Sequence, residues 1–171
     1  MKVAVLFACG TEEIESLTVV DVVRRSGATC HLIGLDKRLI GSHNIVVESD
    51  YLLSEIDLNS YDCIVVPGGM PGAVNLAKEP KVINALKTLY KEGKVIAGIC
   101  AAPAVVFAQN SIVTDKKMTC YPAQDFIDLL KENYVENSVV VDKNVITANG
   151  PKSAMEFSLA ICKALNLQPK F

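Results

Sequence analysis

The sequence predicts a three-layer α/β sandwich built on a mostly parallel sheet. Continuous apolar runs ending at Ala8, Val66 and Ile99 show no period of two, which marks strands buried on both faces. They alternate with segments such as Ile14 to Arg25 and Lys81 to Tyr90, whose apolar residues recur at helical spacing. That order yields parallel strands covered by helices. One cysteine, Cys100, lies between a strand and a helix start, which points to the end of the sheet where chemistry sits.

Val3 to Ala8 reads as the first strand and Ile14 to Arg25 as the first helix, with Gly27 as its C-cap. Thr29 to Leu35 is the next strand. Between Asp36 and Ile56, two short apolar runs flank Gly41-Ser42-His43-Asn44 and predict a hairpin or an irregular strand pair. Cys63 to Val66 is a buried strand ending at Pro67-Gly68-Gly69, and Pro80 and Gly93 bracket the helix Lys81 to Tyr90. Lys94 to Ile99 delivers Cys100, and a helix runs from Ala101 to Gln109. Short strands follow at Met118 to Cys120, Val139 to Val141 and Val145 to Ala148, with a helix near Ala123 to Glu132 and a last helix from Lys152 to Leu165.

The chain of 171 residues reads as one domain, long enough to bury about 70% of its unfolded surface without staples. No repeat or linker divides residues 1 to 171. Lys and Arg number 17 against 19 Asp and Glu, so no basic field favours nucleic acid or an anionic membrane. The six cysteines are scattered without a CxxC pair and only His31 and His43 accompany them, which suggests neither a zinc pattern nor a disulfide framework. Reduced thiols in the cytoplasm are the expectation. The apolar start has a single Lys and is followed at once by Glu12, so it reads as a strand rather than a signal segment. No run approaches the roughly 18 apolar residues of a membrane span.

Gly98-Ile99-Cys100-Ala101-Ala102 has small residues around the sulfur, as a sharp strand-to-helix elbow requires. A helix N-terminus there is expected to lower the thiol pKa. The alternative is a packing role, since free cysteine is commonly buried. The glycines of Pro67-Gly68-Gly69 let backbone approach a ligand and, with the Ala101 N–H, could bind a developing oxyanion; a plain turn explains them equally well. Glu12 and Glu13 suit the start of a helix through its macrodipole. Glu15 is spaced to turn inward, where burial beside a thiol would raise its pKa and let it carry a proton.

Together, Gly-Ile-Cys-Ala-Ala-Pro around Cys100, the Pro67-Gly68-Gly69 turn and Glu12-Glu13-Ile14-Glu15 resemble the ThiJ/PfpI superfamily. So do Asp21-Val22-Val23-Arg24-Arg25-Ser26-Gly27 and the tail from Asn149-Gly150-Pro151 through Glu156-Phe157, all in the family's order and nearest its DJ-one-like branch. The resemblance implies a flavodoxin-like fold, a homodimer, no cofactor and no metal. It implies Cys100 as nucleophile, Glu15 as the acid hydrogen-bonded to it, and the Gly69 and Ala101 amides as an oxyanion site. Activities implied are a glutathione-independent glyoxalase or deglycase acting on a small aldehyde such as methylglyoxal, or a redox-sensing chaperone whose cysteine stops at sulfinate.

Some related members place a histidine near the cysteine, but this chain has Tyr121 in the matching Cys120-Tyr121-Pro122. A phenol near pKa 10 is a poor base, so Tyr121 reads as packing and proton transfer falls to Glu15. Gly68, Tyr121 and Arg25 are candidate supports of the site, Arg25 as an anion or dimer contact. His31 reads as a satisfied strand residue, and His43 as a hairpin residue able to reach a neighbouring subunit. Ala101 stands where the superfamily's proteases carry a histidine, which disfavours peptidase chemistry.

Overall fold

The computed structural model describes residues 1–171 and contains a seven-stranded sheet. In chain order the elements are β1 (Lys2–Phe7), α1 (Glu13–Arg25), β2 (Thr29–Gly34), β3 (Arg38–Ile40), β4 (Val46–Glu48), β5 (Tyr51–Leu52), β6 (Cys63–Val66), α2 (Gly72–Ala77), α3 (Pro80–Lys91) and β7 (Val95–Ile99). A π-helix at Pro103–Ala108 follows, then α4 (Gln124–Leu130), β8 (Val139–Asp142), β9 (Val145–Ala148) and α5 (Ala154–Ala164). The sheet order is β5-β2-β1-β6-β7-β9-β8, parallel throughout except for β8, which pairs antiparallel with β9.

Alternate side chains of β1 feed two separate cores. Ala4, Leu6 and Ala8 pack with α2, α3 and the π-helix, while Val3, Val5 and Phe7 pack with α1 and α5. Both faces are therefore apolar, the physical reason the strand runs lack alternation. This is the flavodoxin-like α/β sandwich. After β1 the chain moves outward to β2 and β5, then returns to lay β6 against the other side of β1. That reversal opens a crevice beyond the carboxyl ends of β1 and β6, with the end of β7 beside it.

Three local expectations are corrected. Met118 to Cys120 is not a strand: it makes one bridge, Met118 to Tyr134, and its Thr119 N–H donates instead to the Thr147 hydroxyl at 2.9 Å. The segment 101 to 109 is helical but widened, with Gln109 N–H donating to Ala104 O and Ile112 N–H to Phe107 O. The Phe107 ring lies under Gly98, where an added Cβ would meet it at 2.9 Å, so the strand tolerates no side chain there. A short helix, α2, stands where no element was expected, six residues directly after the Gly-Gly turn. The hairpin expected between Asp36 and Ile56 is β3 paired with β4, and a short β5 joins the main sheet beside it.

Candidate active site

Cys100 follows β7 with φ +64°, a left-handed conformation that costs a non-glycine residue about 1–2 kcal/mol. Flanking hydrogen bonds hold it there. Its N–H donates to Ala148 O at 2.9 Å, extending the β7–β9 ladder, and its carbonyl accepts the Tyr121 N–H at 2.8 Å. Ala101 O then accepts the Val105 N–H at 2.9 Å and starts the helical segment. The elbow leaves the thiol half-buried, with the Gly69 and Ala101 amides donating toward the sulfur.

Glu15, in the first turn of α1, is fully buried. Its Oε2 accepts the Gly68 N–H at 2.8 Å, and its Oε1 has no partner of regular geometry. The Cys100 thiol is the side chain coupled to this carboxyl. Gly68 makes the approach possible: a Cβ there would lie 2.6 Å from the Cys100 Cβ and 2.8 Å from Glu15 Oε2. Gly69 has φ +84°, and a Cβ on it would meet Glu12 N at 2.4 Å. Both glycines are required by contact, not only by turn geometry.

Burial raises the Glu15 carboxyl to about 7, against the opposing hydrogen bonds from Gly68 and the thiol and with a further push from the Glu12 charge. Burial and the neighbouring Glu15 charge push the Cys100 thiol up to about 12, although the Gly69 and Ala101 amides act to lower it. The lowered thiol pKa expected from the helix start is therefore corrected: desolvation and a carboxylate outweigh two amides. The two groups titrate as a pair. Between the two proton losses they hold one proton, and a thiolate exists there only while Glu15 carries that proton.

The remaining candidates lie as follows. Tyr121 has an exposed side chain beside Gly150 and serves the elbow through its backbone N–H. Arg25 is at the other end of α1, ten residues or about 15 Å of rise from Glu15, paired with Asp21 at 3.0 Å and stacked over Phe171. It is no part of the Cys100 surroundings. His31 Nδ1 is 2.8 Å from the Tyr61 hydroxyl, a satisfied strand residue.

His43, on the loop joining β3 and β4, faces carboxylates of its own chain. Its N–H donates to Glu13 Oε1 at 2.8 Å, and its Nδ1 lies 3.3 Å from Glu12 Oε1 and 3.2 Å from Glu13 Oε2. Glu12 and Glu13 are thus more than macrodipole partners. Both are buried, and Glu12 caps α1 by accepting the Glu15 N–H at 3.1 Å. Sequence reasoning also passed over Thr11, fully buried, whose hydroxyl accepts the Ala8 N–H at 3.0 Å and whose carbonyl accepts the Ser42 N–H. Its signal was a hydroxyl residue directly ahead of a helix start.

A family model described as the DJ-1/PfpI family matches residues 1–164. Protein DJ-1 homolog B of Arabidopsis thaliana is 38% identical over 162 residues, which are 94% of this chain and 37% of that protein. The chain thus spans well under half of that plant relative, whereas it covers 87% of Protein dj-1beta of Drosophila melanogaster, 33% identical over 164 residues and 94% of this chain. The glutathione-independent glyoxalase DJR-1.2 of Caenorhabditis elegans is 33% identical over 156 residues, 90% of this chain and 82% of that one. Among solved structures, Toxoplasma gondii DJ-1 in an oxidized form superposes with a TM-score of 0.91 at 36% identity, covering 96% of this chain and 90% of its own. With the family model matched over residues 1–164 and the fold shared with the solved relative, the chain belongs to the DJ-1/PfpI family.

Proposed function

We propose that this protein is a cysteine-dependent, glutathione-independent glyoxalase or deglycase acting on methylglyoxal-type aldehydes. The observation that carries the reading is the buried Glu15 carboxyl coupled to the Cys100 thiol, with one carboxyl oxygen left unpaired. The name of the nematode relative supports it.

The Cys100 thiolate adds to the aldehyde carbon of methylglyoxal, forming a C–S bond, and Glu15 gives its proton to the carbonyl oxygen. The Glu15 carboxylate then removes the hydrogen from the former aldehyde carbon as a proton, giving an enediolate whose negative charge rests on the former ketone oxygen. Return of that proton from Glu15 to the adjacent carbon, with the hydroxyl proton passing to the neighbouring oxygen, leaves a thioester on Cys100. Water cleaves the thioester, releasing lactate and restoring the thiol. The sum is methylglyoxal plus water to lactate, with no external oxidant or reductant. Gly69 and Ala101 amides, directed at the sulfur, stabilise the thiolate before attack.

Lactate formation from methylglyoxal with no added thiol should disappear in Cys100→Ser and fall about 100-fold or more in Glu15→Gln. Unchanged rates in both variants would sink the proposal. A second reading is favoured by the half-buried exposure of the thiol and by the oxidized state of the Toxoplasma relative: Cys100 is an oxidation sensor. It predicts addition of two oxygens to Cys100 under mild peroxide with negligible aldehyde turnover.

The same reading includes a homodimer working in a reducing compartment such as the cytoplasm, supported by six unpaired cysteines. Exposed Ile14, Ile45 and Val46 offer an apolar surface around the buried Glu13, to whose carboxylate the Ile45 N–H donates at 3.3 Å. Light scattering should give twice 18.4 kDa, falling toward 18.4 kDa in Ile14→Glu; a wild-type monomer at micromolar concentration contradicts it.

A further inference from the structure

The seven-stranded sheet ends in two unequal edges. β5, at one end, is only two residues long, a length that offers little to pair with. β8, at the other, is the run Val139–Asp142, and its three consecutive valines include no proline, lysine or bulge of the kind that keeps an edge strand from pairing. Its only ladder is with β9. Asn149 N–H donates to Ser138 O at 3.0 Å, so with Val139 opposite Ala148 the residues bonded to β9 are Ser138, Val140 and Asp142. The N–H and C=O groups of Val139 and Val141 therefore face away from the sheet, and no loop bonds them.

Beside this edge runs a groove of about 890 Å³. Val139 and Val141 lie opposite Ala148 and Ile146 on the sheet face that α5 packs against, but α5 stops short of covering them, and Val141 is 55% exposed. The far wall of the groove is one stripe of α5, in which Glu156, Ala160 and Lys163 recur at helical spacing. α5 returns along the sheet after β9 and so runs the same way as β8; Ser138 Oγ donates to Glu156 Oε2 at 2.8 Å where both begin. The groove is therefore acidic at Glu156 and basic at its other end, where Lys143 and Lys163 stand in no ion pair.

We propose that β8 is a docking edge for an extended segment of a partner protein, laid antiparallel to it, with β-branched residues at alternate positions and acidic residues at the segment's leading end. The segment's main chain takes the free N–H and C=O groups of Val139 and Val141, and its alternate side chains fill the groove over those valines and Ala160. In an antiparallel pair the leading end of the segment meets the trailing end of β8. Its acidic residues thus lie beside Lys143 and Lys163, away from Glu156, and this charge match sets the direction of docking. The inference does not depend on the chemistry of Cys100.

The test is the fluorescence anisotropy of a peptide Asp-Asp-Val-Thr-Val-Thr-Val, labelled with fluorescein at its C-terminus, titrated with the full chain. Saturable binding of one peptide per chain is expected, with the charge-reversed Lys-Lys-Val-Thr-Val-Thr-Val bound about fivefold more weakly. Val141→Pro removes an N–H that faces away from β9 and so leaves the β8–β9 ladder intact; it should weaken the acidic peptide about fivefold or more. Lys143→Glu combined with Lys163→Glu, both at exposed positions, should reverse the preference between the two peptides even if Val141→Pro does not fold. Equal binding of the two peptides, a preference that the double variant leaves unchanged, or the absence of saturation overturns the proposal. A mass by light scattering that rises with concentration and is lowered in Val141→Pro, without peptide binding, also overturns it, because the edge then belongs to a second copy of this chain.

Discussion

At the level of single residues, the site is a compromise between burial and charge. Glu15 has no exposed surface, and its carboxyl is raised to about 7 mainly by that burial. An acid whose folded pKa is raised binds more protons in the folded state between the ordinary carboxylate pKa and about 7. Its contribution to stability is therefore fully present below the ordinary value and is lost as pH rises through about 7. Glu15→Gln should accordingly gain stability over wild type by about 1–3 kcal/mol between pH 5 and pH 8, measured by urea unfolding. A constant difference across that range contradicts a raised carboxyl. Cys100, Glu15, Gly68 and Gly69 were legible in the sequence because each is fixed by local chemistry: small neighbours around a thiol, a spacing that turns a carboxylate inward, a Gly-Gly turn after a strand. The thiol's raised pKa was not legible, because desolvation and the Glu15 charge depend on contacts between residues 85 positions apart.

Among the elements, those with strong period or strong punctuation were read from sequence and the rest were not. Cys63–Val66 is a wholly buried strand with a proline and glycines directly after it, and Gly93, at φ +74°, ends α3 where a left-handed residue is required. Met118 to Cys120 has strand composition, but Met118 bridges only to Tyr134 and Thr119 to a side chain, so composition alone misled. The hairpin was expected, while its attachment was not. Glu13 accepts the N–H groups of His43 and Ile45, a contact across about 30 residues that neither local pattern announces. That contact carries His43 to Glu12, and so joins the hairpin to the cysteine elbow. The π-helix after Cys100 is likewise set by tertiary packing, with Phe107 seated on Gly98.

For the whole molecule, the reversal of strand order between β2 and β6 explains why residues from positions 12 to 15, 68 to 69 and 100 to 101 meet at one end of the sheet. Parallel strands bring their carboxyl ends together, and each delivers one part: helix start, amide turn, thiol. No helix is long and apolar enough to cross a membrane. The account's central claim is that Cys100 and Glu15 act as one titrating unit, which the wild-type pH profile of Cys100 alkylation measures most directly. The account predicts a midpoint held well above the free-thiol value by burial and the Glu15 charge, moving to lower pH, with faster alkylation at pH 7, when that charge is removed in Glu15→Gln. A midpoint near the free-thiol value of about 8.5 that Glu15→Gln leaves unmoved would contradict it.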